Sequence, residues 1–561
     1  MECVSGLVGF VVGSGAQRLL RAATGNRIAL ERAGGLLQLK YVVACIIGFL
    51  TFSISAVAST LSVNPMVLPM ELRGLSVSSV VVHRDQIVVA GVNDGGACTV
   101  ALLDLQLVVR TMRSFPGAVG DSCEIAAIDS VGNLLLFGVA SAPGFPRTSN
   151  LFKPDGGNFV LKLSRSSLAV IFSVRFGLGR LQALALARDD SMWLGGYITV
   201  GLPTTPDAVQ REYPRPFSAS RRDRTGFLIR LTPDGQTILY STYLGGTTDA
   251  VGTISIDDHG NIYAAGSQIW KFSPASRLIW STWLPRSSTM GSAVGLDGDL
   301  YLVGTTGTFD HYTTPLAFQT TPFTPQSIFL AGDSAYYPST IIDGFVARFS
   351  PTGDLVYSTL LGGIGEDILT HVIPSPDGSA FVYGSASGRL FPTHSPLSMG
   401  PLFGGAVSAK LTASGTAVSF ATYLSGGSPR IARHPSGGYV VFTRADGYHP
   451  EAGVYRLTEE PASLPRVDSV FPTTRPRDNL SAGASATIAG EGFEVVDAVF
   501  VGDQTAKILA QSGSEIQIEI PLNLARTGID LGFTGPMSLL ADGRVLRSIQ
   551  ISAFVRSPEQ P

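Results

Sequence analysis

The chain has 561 residues, of which 15% are charged and 45% are hydrophobic, and it contains 64 glycines and 34 prolines. Many short apolar segments separated by Gly and Pro indicate an all-β protein and argue against a helical one. The formal net charge of −3 gives no electrostatic basis for binding nucleic acid or an anionic membrane surface.

The first 58 residues have the layout of an export signal. An apolar run from Tyr41 to Leu50 follows Lys40, and the sequence Ala-Val-Ala ends at Ala58. A basic flank, a hydrophobic region and small residues at positions −3 and −1 are typical of a secretory signal peptide. We therefore expect cleavage after Ala58, a bacterial extracytoplasmic location and a true translation start near residues 36–40. A retained membrane anchor is the alternative, although the apolar run is short for a span.

Two of the four cysteines, Cys98 and Cys123, lie beyond this segment. In an exported chain a disulfide is expected for such a pair, since two thiols alone cannot complete a tetrahedral zinc shell. They flank the outer part of the first repeat unit described below. Two separate buried thiols are the alternative.

One kind of hairpin recurs along the chain, as in "FVARFSPTGDLVYSTLL" (345–361) and "FLIRLTPDGQTILYSTYL" (227–244). Pro and Gly in the turn suit a tight reversal between two strands. The first strand of this hairpin is found at seven places: 99–103, 159–163, 227–231, 269–272, 345–349, 407–411 and 454–457.

A second kind of hairpin alternates with the first and has an Asp-, Gly- or Asn-containing turn, as in "ISIDDHGNIYAAG" (254–266). The turns are too short for a twelve-residue calcium loop with a closing Glu, which favours a plain hairpin. The other copies lie at 80–91, 125–138, 183–196, 293–304, 372–384 and 431–443.

Seven hairpins of each kind in strict alternation predict seven four-stranded sheets, and hence a seven-bladed β-propeller over residues 59–462. Almost all length variation falls in the link between the second and third strands of a unit, which marks one face of the ring as the expected binding face. The sequence leaves two assignments for the fourth strand of the last unit: either residues 461–467 or the N-terminal segment 61–72 could supply it.

These hairpins, together with the loops "PTTPDAVQ" (203–210) and "TTPLAFQ" (313–319), resemble the bacterial seven-bladed β-propeller (SBBP) repeat proteins. The likeness covers roughly residues 75–460. It implies a secreted or surface protein with a propeller fold, and it implies no particular activity or ligand.

A basic residue occupies the same place in the third strand of six units. A ring of cations is the functional interpretation, and packing of each stem against the neighbouring unit is the structural interpretation that we favour. The residues are Lys162, Arg230, Lys271, Arg348, Lys410 and Arg456.

The two longest links concentrate arginine and aromatic residues, which suit recognition of a protein or a glycan because they combine apolar area with polar reach. The alternative is that these loops bury their own aromatic side chains against the propeller. The candidate binding residues are Arg211, Tyr213, Phe217, Arg221, Arg222, Tyr312, Phe318, Tyr336 and Tyr337.

From residue 463 to 561 the pattern changes to short alternating strands. Gly490, Gly492 and Phe493, followed by the hairpin "VGDQTAKIL" (501–509), resemble the IPT/TIG immunoglobulin-like domain. The resemblance implies a small β-sandwich that serves as a spacer or a protein-contact module, and its size fits such a sandwich.

The sequence contains no HExxH pair, P-loop, dinucleotide fingerprint or Gly-x-Ser-x-Gly turn, and we expect no cofactor and no metal. We therefore expect a monomeric, non-enzymatic binding or scaffold protein without a stable membrane span in its mature form, whose partner is a protein or a glycan. The alternative is an extracellular polysaccharide lyase or hydrolase with its site at the central opening, for which Asp249, Asp367 and His371 are candidates.

Overall fold

A computed structural model describes residues 59–148, 157–177, 179–199, 201–214, 224–246, 248–307, 311–322, 342–363, 365–387, 391–393, 404–424, 427–435, 437–444, 453–461, 466–474, 480–524, 532–541 and 544–554. The export segment 1–58 and the candidate residues Phe217, Arg221, Arg222, Tyr336 and Tyr337 lie outside the described residues.

Seven four-stranded antiparallel sheets follow one another along the chain, and we number them 1 to 7 in chain order. Sheets 1 to 3 comprise β2 (Leu75–His83), β3 (Gln86–Asn93), β4 (Cys98–Asp104), β5 (Val109–Phe115); β6 (Ser122–Ile128), β7 (Leu134–Val139), β8 (Asn158–Leu163), β9 (Val170–Phe176); and β10 (Arg180–Leu186), β11 (Met192–Ile198), β12 (Thr225–Leu231), β13 (Ile238–Leu244).

Sheets 4 to 7 have the same plan, and the strands agree with the predicted hairpins. They comprise β14 (Thr253–Ile256), β15 (Ile262–Ala265), β16 (Gln268–Phe272), β17 (Leu278–Trp283); β18 (Ser287–Val294), β19 (Leu300–Thr306), β20 (Asp343–Phe349), β21 (Leu355–Leu361); β22 (Asp367–Pro374), β23 (Ala380–Ala386), β24 (Gly405–Leu411), β25 (Val418–Leu424); and β26 (Gly427–Arg433), β27 (Tyr439–Arg444), β28 (Val454–Pro461), β1 (Ser59–Met66).

The sheets form a closed, propeller-like ring. The first strands of neighbouring sheets contact one another in turn from β2 through β22, β26 contacts sheet 6 through β23 and β24, and β26 contacts β2 to complete the ring. We call the space enclosed by these first strands the axial channel. Hydrophobic clusters fill the spaces between neighbouring sheets, as between sheets 2 and 3, so each sheet buries both of its faces.

The N-terminal strand β1 supplies the fourth strand of sheet 7. It pairs antiparallel with β28 from Ser59 opposite Pro461 to Met66 opposite Val454. Of the two alternatives that the sequence leaves open, the N-terminal segment is the one that completes sheet 7 and closes the ring. The fourth strand of sheet 7 is therefore not connected to the third strand by a turn.

Antiparallel pairing divides the connections between two ends of the ring. The turns between first and second strands and between third and fourth strands share one end, which we call the turn face. The links between second and third strands and the connections between sheets share the other end, which we call the link face.

The C-terminal residues form a sheet of seven strands in the order β29-β30-β33-β32-β31-β34-β35. Its strands are β29 (Arg466–Pro472), β30 (Ser485–Glu491), β31 (Ala498–Val501), β32 (Gln504–Gln511), β33 (Glu515–Glu519), β34 (Gly532–Ala541) and β35 (Arg544–Phe554). These strands share one hydrophobic cluster.

The Gly-x-Gly-Phe segment has a packing reason in this sheet. A Cβ at Gly490 would lie 1.8 Å from the carbonyl oxygen of Arg466 and 2.7 Å from the Phe493 ring. Gly492 has a φ of +76°, and the ring of Phe493 is fully buried. Both glycines therefore allow the chain to turn around a buried aromatic side chain.

Within the described ranges the helices are the 3-10 turns Met70–Leu72 and Phe493–Val495. Neither has the length or the apolar character that a membrane-spanning helix requires.

Candidate functional site

The repeated cation of the third strand links neighbouring sheets on the turn face. Arg348 donates Nε to Asp299 at 2.6 Å and Nη2 to Asp297 at 2.7 Å, and both carboxylates belong to the first turn of the same sheet. Its Nη1 donates to the carbonyl oxygen of Ala413 in sheet 6 at 2.9 Å. Because all three nitrogen atoms of the guanidinium donate hydrogen bonds to these groups, the charge of Arg348 stabilises the structure.

Two other sheets show the same arrangement. Arg230 pairs with Asp189 at 2.7 Å and donates to the carbonyl oxygen of Pro274 in sheet 4 at 2.9 Å. Lys271 donates to the carbonyl oxygen of Pro351 in sheet 5 at 3.0 Å. The contacts support the structural interpretation of the cation series.

In sheet 2 the cation pairs with the first turn of its own sheet. Lys162 lies 2.8 Å from Asp129, which also accepts the Asn133 backbone N–H at 2.7 Å. Burial raises the pKa of Asp129, but hydrogen bonds from Lys162 and Asn133 outweigh burial and leave this pKa below its usual range. The Asp129 carboxylate is therefore occupied by contacts within its own sheet.

Sheet 7 has no turn between its third and fourth strands, because β28 and β1 come from opposite ends of the propeller sequence. A cleft of about 670 Å³ lies between sheets 6 and 7 on the turn face. Its lining residues include Asp377, Lys410, Arg433, His434 and Tyr439.

The repeated aromatic-Ser-Thr sequence of the fourth strand also has a structural use. In sheet 3, Thr205 donates its N–H to the carbonyl oxygen of Ser241 at 3.0 Å, and Gln210 donates its N–H to Thr242 Oγ1 at 2.9 Å. Residues 205–210, at the start of the link, therefore run along the outer edge of the sheet. Covering an edge strand in this way satisfies backbone groups that would otherwise be open to other chains.

This docking uses part of the predicted binding set. Tyr213 packs against the cluster between sheets 2 and 3, and its ring meets that of Tyr243 edge-on at 5.8 Å. Phe318 packs against the cluster between sheets 5 and 6. Arg211 is exposed, and the Tyr312 side chain is 55% exposed.

The axial channel contains a cluster of charged residues. Glu124 of sheet 2 lies within electrostatic range of Arg180 in sheet 3 and Arg430 in sheet 7, and all three residues belong to first strands, which enclose the channel. Burial raises the pKa of Glu124, and the two arginines oppose that rise. None of the three was predicted; a charged residue inside an otherwise apolar first strand, as in "CEIAA" (123–127), was the available signal.

His371 lies on the first strand of sheet 6, beside the same cluster. Its ring stacks on Tyr383 with centroids 4.8 Å apart, and Nδ1 lies 3.0 Å from Thr370 Oγ1. The residue is exposed to solvent, but desolvation by the surrounding strands, together with the charge of Arg430, lowers the pKa of His371. The imidazole is therefore neutral at neutral pH.

The other two catalytic candidates have separate local contacts. Asp249 accepts hydrogen bonds from the Gly246 N–H at 2.6 Å and from Ser267 Oγ at 2.5 Å. Asp367 accepts the Gly363 N–H at 2.7 Å. Each carboxylate holds a connection between sheets at the link face, and their described contacts do not join them to His371.

Asp367 also neighbours a second buried carboxylate. Asp343 and Asp367 are 0% and 1% exposed, and a Cβ built on Gly362 would lie 2.9 Å from atoms of both side chains. Burial, with the nearby charge of Asp343, raises the pKa of Asp367 to about 8.

Cys98 and Cys123 are joined, with their Cα atoms 5.3 Å apart. Cys98 begins β4 and Cys123 lies in β6. The bond therefore links sheet 1 to the first strand of sheet 2, whereas the sequence led us to expect that it would enclose the outer part of one sheet.

No protein-family model matches this chain, and no curated protein matches it. Among solved structures the chain is similar to the Pan2 WD40 domain of Neurospora crassa, with 9% identity, coverage of 72% of this chain and 97% of that chain, and a TM-score of 0.39. It is also similar to BamB from Moraxella catarrhalis, with 12% identity, coverage of 68% and 83%, and a TM-score of 0.34. The propeller-like description rests on the ring of sheets itself.

Proposed function

We propose that this chain is an exported bacterial binding or scaffold protein. In this proposal the seven sheets are the blades of a seven-bladed propeller, residues 463–561 form an Ig-like spacer or contact domain, and residues 1–58 contain the export signal. The ligand is a protein or a glycan, bound at the link face.

The observation that carries the proposal is how the repeated polar residues are used. In the described sheets, the third-strand cations bind turn carboxylates and neighbouring carbonyl groups, as Arg348 does with Asp299 and Ala413. The Ser and Thr residues of the fourth strand hold the links, as Ser241 and Thr242 do. The differences between sheets that could serve recognition therefore lie mainly in the links.

Exposure within the links supports the same surface. Tyr312, just before the segment docked on sheet 5, is 55% exposed, and Leu316, within that segment, is 77% exposed. Arg211, directly after the docked segment of the sheet 3 link, is also exposed. Exposed aromatic and arginine side chains are common in the energetically important parts of interfaces.

A binding screen against glycans and surface proteins tests the proposal. The variant shortens residues 323–341 and keeps 313–319, so that the docked edge of sheet 5 is preserved. A matched control shortens residues 149–156 in the link of sheet 2. We expect the first variant to lose binding and the control to keep it; a folded first variant that keeps all binding would show that the proposed surface is wrong.

Export is tested separately by N-terminal sequencing of protein recovered from outside the cytoplasm. We expect the sequence to begin at Ser59. Recovery of protein that still contains residues 41–50 would contradict signal cleavage and favour an anchor.

An enzyme at the axial channel is a second candidate, supported by Glu124, whose pKa is raised by burial within electrostatic range of Arg180 and Arg430. A raised carboxyl pKa is one property of a general acid. The same glycan screen tests it: cleavage products that disappear in a Glu124→Gln variant would establish the enzyme and overturn the non-enzymatic proposal.

A further inference from the structure

The fourth strand of sheet 4, β17 (Leu278–Trp283), has an unusually open outer edge. Ile279 is 51% exposed, Trp283 is 65% exposed and Ser281 is also exposed. At the equivalent serine of sheets 3 and 5, Ser241 and Ser358 are fully buried. The difference lies in what covers the strand.

In three sheets the second-to-third link places a threonine on this serine. The threonine N–H donates to the serine carbonyl oxygen, at 2.9 Å for Thr148 and Ser173 and at 3.0 Å for Thr205 and Ser241. The serine N–H donates back to the threonine Oγ1, at 2.7 Å and 3.1 Å respectively. Thr314 repeats the first contact in sheet 5 at 2.9 Å.

A glutamine five residues later completes the docking in sheets 3 and 5. Gln319 donates its N–H to Thr359 Oγ1 at 3.0 Å, and its carbonyl oxygen accepts the N–H of Leu360 at 3.0 Å. Gln210 makes the same contacts with Thr242 and Tyr243. The segments that dock are Thr-Pro-Asp-Ala-Val-Gln (205–210) and Thr-Pro-Leu-Ala-Phe-Gln (314–319).

Sheet 4 has the receiving strand without the docking segment. Its sequence Trp-Ser-Thr-Trp (280–283) matches Tyr-Ser-Thr-Tyr (240–243) of sheet 3, but its link consists of residues 266 and 267 alone. Two residues cannot reach the outer edge. Among the described residues, no segment hydrogen bonds to the outward backbone groups of β17.

We propose that β17 is a docking site for a partner protein that carries an exposed Thr-Pro-x-Ala-x-Gln segment. The partner's Thr would bind the backbone of Ser281. The backbone N–H of its Gln would donate to Thr282 Oγ1, and the backbone carbonyl oxygen of the same Gln would accept the N–H of Trp283. Addition of an extended segment to a sheet edge is an established mode of peptide recognition. This site is on the rim of the ring and does not depend on ligand binding at the link face.

The other short-linked sheet shows why openness alone is insufficient. The outer strand of sheet 1, β5, is also exposed, with Met112 45% exposed. The positions that correspond to Ser281 and Thr282 are Met112 and Arg113, which offer no such Ser-Thr pair. Charged residues on β5 also discourage strand addition, whereas β17 carries no charge.

Two synthetic peptides copied from residues 203–211 and 312–320 provide the probes. We expect each to cause a saturable blue shift of tryptophan emission, because docking would remove Trp283 from water. A control version of the first peptide, with Thr205→Ala and Gln210→Pro, lacks the Oγ1 acceptor and the backbone N–H donor that docking uses, and it should not saturate in the same concentration range. Absence of a saturable shift with both native peptides would overturn the proposal.

Two variants of the full chain assign the shift to β17. Thr282→Val removes the Oγ1 acceptor at constant shape and should weaken peptide binding about 5-fold, as expected for one hydrogen bond. Ser281→Pro removes an outward N–H and should abolish binding, with thermal unfolding as the check that the variant folds. Thr111→Val on β5 is the matched control and should leave binding unchanged.

Sedimentation of the wild type tests whether a second copy of the chain, instead of a partner protein, pairs with β17. We expect no concentration-dependent dimer. A dimer that Ser281→Pro abolishes would show that a second copy pairs with β17, and unchanged peptide binding by both sheet 4 variants would show that the peptide binds elsewhere; either result would overturn the proposal.

Discussion

Gly415 lies against the ring of Tyr357, which belongs to the preceding sheet. A Cβ built on Gly415 would be 2.4 Å from Cδ2 of Tyr357, and its φ is +67°. The same relationship joins Gly353 to Trp280 at 3.0 Å. The repeated aromatic of the fourth strand therefore packs beneath the glycine of the next sheet's turn, which explains why both residue types recur in the repeat.

Replacing this glycine should destabilise the ring at the boundary between sheets 5 and 6. We expect Gly415→Ala to lower the free energy of unfolding by about 1–3 kcal/mol, since it combines a strained φ with a clash against a buried ring. Gly201→Ala is the matched control, because Gly201 has a φ of +86° and open space around it. Equal losses in the two variants, measured by denaturant unfolding, would show that ring contact contributes nothing.

The cation network should depend on the guanidinium shape of Arg348. Arg348→Lys cannot reach Asp297, Asp299 and Ala413 together, and we expect it to lower the free energy of unfolding by about 1–3 kcal/mol. Arg110→Lys is the control, because Arg110 pairs with Asp104 but its side chain is 62% exposed; it should destabilise the protein far less than Arg348→Lys. A neutral Arg348→Lys would contradict the bridging role.

Stability should fall as the pH rises because of Asp367. Its pKa is about 8 in the folded protein, against an ordinary value of 3.8. Between these values the folded state holds a proton that the unfolded state has lost, so the contribution of this group to stability is largest below pH 4 and is lost as the pH rises to 8. Asp367→Asn should therefore raise the free energy of unfolding at pH 8 by about 1–3 kcal/mol and leave it little changed near pH 4.

Denaturant unfolding at several pH values between 4 and 8 checks this expectation. Asp249→Asn is the control, since its carboxylate accepts hydrogen bonds from Gly246 and Ser267 and its loss should only destabilise. If Asp367→Asn lowers stability at pH 8, the carboxyl group is not the source of the pH dependence.

The bond between Cys98 and Cys123 predicts a further result. Protein that lacks residues 1–58 should show no reactive thiol when it is unfolded without reduction. Replacing both cysteines by serine should cost about 3 kcal/mol of stability for a loop of this size. Two labelled thiols in the unreduced protein would establish the alternative of separate thiols.

The candidate site was only partly accessible to sequence reasoning. The Asp-, Pro- and Gly-containing turns gave the hairpins, and the regular spacing of cations indicated a structural role that the contacts of Arg230 and Arg348 support. The Glu124, Arg180 and Arg430 cluster was missed because its members come from three sheets far apart in the chain. The loops quoted for the family resemblance were seen as a pattern, but their docking on Ser241 and Ser358 was not predicted.

What the sequence by itself determined is local: the alternation of strands, the position of each turn and the confinement of length variation to one link. Neighbouring residues specify these features through side-chain periodicity and turn chemistry. The tertiary structure alone decided which segment completes sheet 7, which carbonyl each cation reaches and which strand the longer links dock on. These outcomes depend on the curvature of a closed ring, which brings together β1 and β28 from opposite ends of the propeller sequence and sets the links of sheets 2, 3 and 5 beside the outer strands of those sheets.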